Sequence, residues 1–307
     1  MTIQQLAYIV ALDKYRHFVQ AAESCFVTQP TLTMQLKKLE DEIGMVIFDR
    51  QKQPLEPTNS GTQFISKARE ILAEINVLKS FVSDEKESLK GNFTIGVIPT
   101  LAPYLLPLFV KDFNENFPGL NFTIKENQSE VLIQELKNQK TDLAFMVGPL
   151  AEKSLREVSL FNEPLVLYLP EGHELHNADE INGKALFRDD LIIMEEGHCF
   201  RNQLLSVCGD QKNKTKKINY EGGSIETLKN LVKNDFGFTL IPELAINVED
   251  QKHVKTFKTQ IPVREVCLVS HMGFTKNRLI DELRKSVLSK IPDHFSKNEH
   301  FVRVKWR

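Results

Sequence analysis

From Thr58 to about Leu89, apolar residues recur at Phe64, Ala68, Ile71, Ile75, Leu78 and Val82, at spacings of 4, 3, 4, 3 and 4. This heptad seam, sustained for nearly three heptads, predicts one long helix. A helix of ~30 residues spans ~45 Å, more than the roughly sixty residues before it can shield, so its stripe is expected to pack on a second copy. The competing reading lays the stripe on the chain's own globular body. In either case the helix separates a short region before it from a much longer one after it.

The short region reads as helices with tight connections. Leu6, Ile9 and Val10 give the first helix an apolar face. Phe18 to Ser24 forms a second, with Ala21 and Ala22 small enough to let another helix approach closely. The segment breaks at Phe26-Val27-Thr28-Gln29-Pro30, where Thr28 suits an N-cap and Pro30 a first helical turn. A third helix then carries Leu32, Leu36, Leu39 and Ile43 on one face and stops at Gly44, a good C-cap residue. The stretch MVIFDRQKQPLEPT that follows reads as strand, turn and return strand, a wing beside a helix-turn-helix.

Such a unit reads DNA when one helix face offers hydrogen-bonding side chains to base edges while nearby cations anchor phosphates. Gln29, Thr31, Thr33, Met34 and Gln35 are the candidates for bases; Lys37, Lys38, Arg50 and Lys52 are the candidates for phosphates. Charge alone does not point there. The chain holds 39 Lys and Arg against 41 Asp and Glu, for a net charge of −2, and residues 1–62 hold six cations against seven carboxylates. The bland alternative is a small helical subdomain with no nucleic-acid role.

Beyond Lys90-Gly91-Asn92 the rhythm becomes α/β. FTIGVI, LNFTIKEN, DLAFMVG, EPLVLYLP, DLIIMEE, FTLIP and EVCLVSH read as strands. Pro103 to Asn116, Val131 to Asn138, Ser224 to Asn234 and Arg278 to Leu288 read as helices. Strands alternating with helices predict a mostly parallel sheet. The length, residues 91–307, predicts two subdomains with a cleft available to a ligand. The tail after Lys290 gives no interpretable pattern.

With 41% hydrophobic and 26% charged residues the composition is that of an ordinary soluble protein, and no apolar run approaches the ~20 residues a bilayer needs. The N-terminus lacks a basic region before its apolar residues, so no secretory signal is expected and the predicted location is cytoplasmic. Four cysteines, Cys25, Cys199, Cys208 and Cys267, make no disulfide scaffold in a chain large enough to build its own core. Cys25 and Cys267 read as core residues. The histidines show no metal-ligand spacing, no cofactor-binding motif stands out and no catalytic triad is evident, so neither a metal, a cofactor nor an enzyme is expected.

Cys199 and Cys208 are different. Cys199 is flanked by His198 and Arg201, neighbours that favour the thiolate, and Cys208 follows nine residues later. If the segment between them is helical, their Cα atoms stand roughly 14 Å apart, twice the ~7 Å limit for a disulfide, so oxidation has to refold it. A redox switch is physically reasonable on these terms. The alternative is that both thiols are small buried hydrophobes.

Resemblance separates these alternatives. FVQAAESCFVTQPTLTMQLKKLEDEIGMVIFDR, followed by PLEPTNSG, resembles the DNA-binding region of LysR-type transcriptional regulators through Ala21-Ala22, Gln29-Pro30, Leu32, Leu36, Leu39-Glu40, Gly44, Phe48, Arg50, Thr58 and Gly61. Thr28 and Thr33 stand where serine is common. GHCFRNQLLSVC, with GVIPTLAPYLLP and SIETLKNLV, is similar to the peroxide-sensing members of that family. The resemblance implies that Cys199 is peroxidatic and Cys208 resolving, and that Thr100, Ser129 and His198, with Arg201 nearby, line a pocket for hydrogen peroxide. Ser129 departs from the usual threonine.

The architecture so implied is α/β with an all-α winged helix-turn-helix at residues 1–58, a linker and dimerisation helix at 59–90, and a two-subdomain, periplasmic-binding-protein-like regulatory domain at 91–307. The expected partners are double-stranded promoter DNA, hydrogen peroxide, RNA polymerase and further copies of the chain, as a dimer through the linker helix and as a tetramer; no membrane is expected. Two rivals stand beside it. A regulator responding to a small metabolite in the interdomain cleft would ignore peroxide, and a thiol peroxidase would turn peroxide over.

Overall fold

The structure is a computed structural model, and it describes residues 1–83, 89–181, 183, 185–194, 199–208, 220, 222–296 and 299–305. Of the long helix, the side chains at positions 73 and 76–83 are also outside the description. The chain divides into two compact units, the first built on residues 1–87 and the second on most of the remainder.

In the first unit α1 (Ile3–Tyr15), α2 (Phe18–Ser24) and α3 (Gln29–Ile43) precede a two-stranded antiparallel wing, β1 (Phe48–Asp49) and β2 (Glu56–Pro57), and then α4 (Asn59–Ser83). Of the residues the spacing selects, Leu6, Ile9, Ala21, Ala22, Leu32, Leu36 and Leu39 are buried in its core, where Leu12 joins them, while Val10 and Ile43 are half-buried against it. Burying each of the leucines and isoleucines contributes about 1.5–3 kcal/mol. Thr28 occupies the N-cap of α3, but its hydroxyl pairs with that of Thr31 at 2.8 Å rather than with a backbone amide. Gly44 ends the helix at φ +66°, the left-handed region a Cβ disfavours. Gly61 answers a different demand: a Cβ there would stand 2.0 Å from the Ile47 carbonyl oxygen, so only glycine lets α4 start against the wing.

The α4 seam divides. Ile65 and Ala68 are buried in the first unit's own core, with Phe64 and Leu72 half-buried against it, whereas Ile71 is 44% exposed. The start of the stripe therefore follows the competing reading and packs on the chain's own body. The Leu78 and Val82 side chains lie outside the described residues.

The second unit adds β3 (Gly91–Val97), α5 (Ala102–Asn116), β4 (Leu120–Glu126), α6 (Ser129–Lys137), β5 (Leu143–Gly148), β6 (Leu155–Tyr168), α7 (Cys199–Cys208), α8 (Ile225–Lys233), β7 (Thr239–Pro242), β8 (Val254–Lys255), β9 (Ile261–His271), α9 (Asn277–Leu288) and β10 (Phe301–Arg303). The expectation of a mostly parallel sheet holds for β4, β3 and β5 and for the short pairing of β10 with β9. The long strands β6 and β9 run antiparallel to each other, and β9 is antiparallel to β5 and β6 to β7. These two strands carry the chain from one subdomain to the other and back, so one sheet path, β4-β3-β5-β9-β6-β7, joins both.

Two further readings are corrected. DLIIMEE is not a strand over its described part: Leu191 makes one isolated parallel bridge with Phe238, and Ile192 to Met194 are buried without a ladder. Burial of an apolar run does not require strand pairing. Gly237 makes the bridge feasible, since a Cβ there would sit 2.1 Å from the Asp190 carbonyl oxygen. The tail, unreadable in sequence, supplies β10, which pairs in parallel with the start of β9 at Phe301–Ile261 through Arg303–Val263. Phe295 and Val304 anchor it by burial.

Candidate functional site

On the first unit, Gln29, Met34, Lys37 and Lys38 are exposed on α3, with Met34 at 61%. Thr31 and Thr33 are half-buried, and the Thr33 hydroxyl donates to the Gln29 carbonyl. Gln35 accepts from the Gln5 side chain at 3.1 Å, which ties it to α1 and leaves its own amide N–H groups to act. The wing cations are engaged: Arg50 pairs with Glu40 at 2.7 Å and Lys52 with Glu56 at 2.6 Å. Glu40 also accepts from the backbone N–H groups of Ile47 and Phe48, so Arg50 belongs to a buried carboxylate that ties the wing to α3.

In the second unit β3 and β4 are parallel neighbours, and the segments leaving their C-terminal ends carry Thr100 and Ser129. That edge of a parallel sheet, where helix N-termini gather, is where small polar ligands are received. Thr100 lies two residues before α5, Ser129 is the first residue of α6 and Cys199 the first of α7. All three are buried, at 2%, 4% and 7% exposure. The Ser129 hydroxyl hydrogen-bonds to the Cys199 sulfur. His198 lies outside the described residues.

The cation acting on this sulfur is one that the sequence did not single out. Arg264, on β9 and fully buried, exerts its charge on Cys199 and lies over the Phe200 ring at 5.6 Å. Its Nη1 donates to the Thr100 hydroxyl at 2.9 Å and its Nη2 to the Thr100 carbonyl at 3.0 Å. Arg201 donates to the Met194 carbonyl at 2.9 Å instead.

Sequence reasoning expected neighbouring cations to favour the Cys199 thiolate, but the net effect runs the other way. Burial pushes the thiol above its ordinary value; Ser129, the Arg264 charge and the Phe200 and Cys199 amides draw it back only in part. Cys208, at 2% exposure, is pushed up to about 12 by burial. Both are free thiols at opposite ends of the ten-residue α7. Nine helical steps separate their Cα atoms by about 14 Å, far beyond the ~7 Å that a disulfide spans. Cys25 packs half-buried against the first unit's core and Cys267 is buried in β9.

A separate recess of about 300 Å³ is lined by Pro99, Pro103, Tyr104, Glu126, Ser224 and Glu226, and the Tyr104 hydroxyl donates across it to Glu226 at 2.8 Å. Among the described residues no group of three or more His, Cys, Asp or Glu could hold a metal ion, and no helix is long and apolar enough to cross a membrane.

Comparison with known proteins agrees with this arrangement. The family model described as bacterial regulatory helix-turn-helix protein, lysR family, matches residues 3–62, and the LysR substrate binding domain model matches residues 86–291. The DNA-binding transcriptional dual regulator OxyR of Escherichia coli is 33% identical over 300 residues, covering 97% of this chain and 98% of the relative. A hydrogen peroxide-inducible genes activator of Haemophilus influenzae is 35% identical over 276 residues, covering 89% and 91%. The solved structure of a full-length OxyR variant from Pseudomonas aeruginosa superposes with a TM-score of 0.83 at 29% identity, covering 97% of this chain and 98% of that one. Two family models thus account for both units in order, and relatives match from end to end: the chain belongs to the LysR family of bacterial helix-turn-helix regulators and, within it, to the OxyR group.

Proposed function

We propose that this chain is a transcriptional regulator that senses hydrogen peroxide by forming a Cys199–Cys208 disulfide and thereby alters its hold on promoter DNA. The observation that carries the reading is the placement of two thiols at opposite ends of one short helix, the first beside Ser129 and Arg264 at the helix N-terminus. The names of the relatives, an OxyR regulator and a peroxide-inducible activator, support the choice of oxidant.

In the first step the Cys199 sulfur attacks one peroxide oxygen, the O–O bond breaks, and the other oxygen leaves as water after taking the thiol proton. Cys199 is then a sulfenic acid. Thr100, Ser129 and Arg264 are the groups that orient the peroxide and stabilise charge on the departing oxygen; the resemblance assigns His198 to the same pocket, while Arg201 is held by the Met194 carbonyl. In the second step the Cys208 sulfur attacks the Cys199 sulfur, the S–O bond breaks, and a second water leaves with the Cys208 proton. Two thiols and one peroxide give one disulfide and two waters. The ~14 Å separation means that α7 unwinds before the second step, which couples the bond to a change of fold.

The remaining assignments follow this reading. Residues 1–58 bind DNA, with α3 in the major groove; 59–90 form the linker through which two copies pair; and 91–307 form the sensor. The exposed Ile71 on α4 leaves apolar surface for that pairing. The working form is a cytoplasmic tetramer that contacts RNA polymerase, and the protein is not an enzyme. A second reading rests on the recess beside Tyr104 and Glu226, which would suit a small polar metabolite.

The test is to expose reduced protein to a few equivalents of peroxide, map disulfides by mass spectrometry and footprint a bound promoter. A Cys199–Cys208 bridge with a changed footprint, both absent in Cys199→Ser, supports the sensor. Reduced thiols with DNA binding intact would reject it and direct attention to the recess.

A further inference from the structure

Arg264 is the cation of the thiol site, yet its charge is shared. Glu163, on β6, is its register partner across the β6–β9 ladder, and both side chains are fully buried. Glu163 Oε2 accepts from Arg264 Nε at 2.8 Å and from Nη2 at 2.8 Å, while Glu163 Oε1 accepts from the Leu244 backbone N–H at 3.1 Å. The guanidinium is therefore clamped on one edge by a carboxylate and on the other by the Thr100 hydroxyl and carbonyl. A buried cation with a bound counter-ion exerts much less field on a third group than a bare one does. Cys199 and Glu163 are thus competitors for one positive charge.

We propose that Glu163 is a positioning residue that sets the sensitivity of the thiol site: it fixes the Arg264 guanidinium against Thr100 and, by neutralising it, restrains the nucleophilicity of Cys199. The inference rests on the peroxide-sensing reading for its purpose, but its geometry and its test do not need peroxide. With Glu163 charged, the resting thiol stays protonated and slow, so the site responds to an oxidant that itself makes use of Arg264 and Thr100. Other charges near this cluster are few. Tyr104, hydrogen-bonded to Glu226, feels both Arg264 and Glu163; Glu243 acts on Glu163; and Lys229 pairs with Glu226 at 3.2 Å. On the Cys199 side stand the Ser129 hydroxyl and the Phe200 amide.

The test is the pH dependence of Cys199 alkylation by iodoacetamide in the full-length reduced protein, quantified on the Cys199 peptide by mass spectrometry. Glu163→Gln keeps the volume and removes the charge; its one carbonyl oxygen replaces the acceptor facing Arg264, and its NH2 replaces the oxygen facing the Leu244 N–H. It is expected to lower the alkylation midpoint by about one pH unit, which is about tenfold more thiolate on the acid side of the midpoint. Glu163→Asp, which retains the charge, is expected to keep the wild-type midpoint. In an Arg264→Gln background, adding Glu163→Gln is expected to change nothing, since the effect acts through Arg264. That double variant removes both members of the buried pair; if the carboxylate neutralises the cation its midpoint stays close to wild type, and a clear rise would overturn the proposal even where Glu163→Gln alone does not fold. A midpoint unmoved or raised by Glu163→Gln in folded protein would overturn the proposal, as would an equal drop when Arg264 is absent. A lowered midpoint in protein that forms no disulfide with peroxide would sustain the role of Glu163 while rejecting the sensor reading.

Discussion

Gln203 lies on α7 between the two thiols and is fully buried, and neither its amide nitrogen nor its amide oxygen has a hydrogen-bond partner among the described residues. A buried polar group left unpaired costs about 1–3 kcal/mol. The folded helix bears that cost, whereas an unwound segment returns the amide to water. Replacing Gln203 with Met keeps the length of the side chain and removes both unpaired atoms. We expect the reduced protein to gain about 1–3 kcal/mol, counting one group and letting imperfect packing of the thioether offset the other. Urea unfolding of the reduced protein should show this as a higher midpoint at unchanged slope. Because the gain belongs to the dithiol form, the Cys199/Cys208 couple should become easier to reduce. At about 30 mV per 1.4 kcal/mol for two electrons, its potential rises by about 20–65 mV, read by titration in glutathione buffers. An unchanged urea midpoint would mean that the amide is satisfied in solution. A potential that falls would contradict the claim that the helix is the form the oxidant has to break.

Three further outcomes test other parts of the account. Cys208 and Cys267 have thiols pushed from 9.0 to about 12 by burial, so folding stabilises their protonated forms. That stability is fully present below pH 9 and is lost progressively towards pH 12, because the unfolded chain gives up these protons first; urea midpoints measured across that window should fall, and fall less in a Cys208→Ala/Cys267→Ala variant. Lys229 and Asp250 form a buried pair at 2.6 Å, joined by Lys233 at 2.9 Å and by the Tyr168 hydroxyl at 2.7 Å. Lys229→Met should cost about 3–5 kcal/mol by stranding part of the Asp250 charge, and a loss below about 1 kcal/mol in denaturant titration would show that Lys233 suffices. Changing Gln35 and Lys38 to Ala should abolish specific promoter binding, and Lys38→Ala alone should reduce the salt slope of binding by about one; unchanged affinity at moderate salt would remove α3 from the DNA interface.

Local signals in this chain were legible. The Leu32, Leu36 and Leu39 face, the Gly44 stop and the helix read from Ser224, which proves to be its N-cap, appear where spacing put them, because each depends on residues within one or two turns. Cys199 and Cys208 were visible because they are close in sequence and share one helix. Glu163 and Arg264 were not, since they stand 101 residues apart and meet only when two long strands pair antiparallel. No periodicity announces a buried ion pair, and reading the sheet as mostly parallel removed the one ladder that unites them. Arg201 attracted attention as the nearest cation in sequence, but the helix turns it to the Met194 carbonyl. The tail was opaque for a related reason: β10 is three residues long and gains its order from the edge of β9.

The most direct measurement of the central claim is amide hydrogen exchange across α7, in the reduced protein and after one equivalent of peroxide, with the Cys199–Cys208 linkage followed in the same digest. The account predicts protected amides from Gln203 to Cys208, whose i−4 carbonyls lie within the helix, in the dithiol form and loss of that protection in step with the appearance of the linked peptide. A linked peptide whose amides remain protected would contradict the coupling of bond to fold, and unwinding without the bond would contradict the role of the thiols.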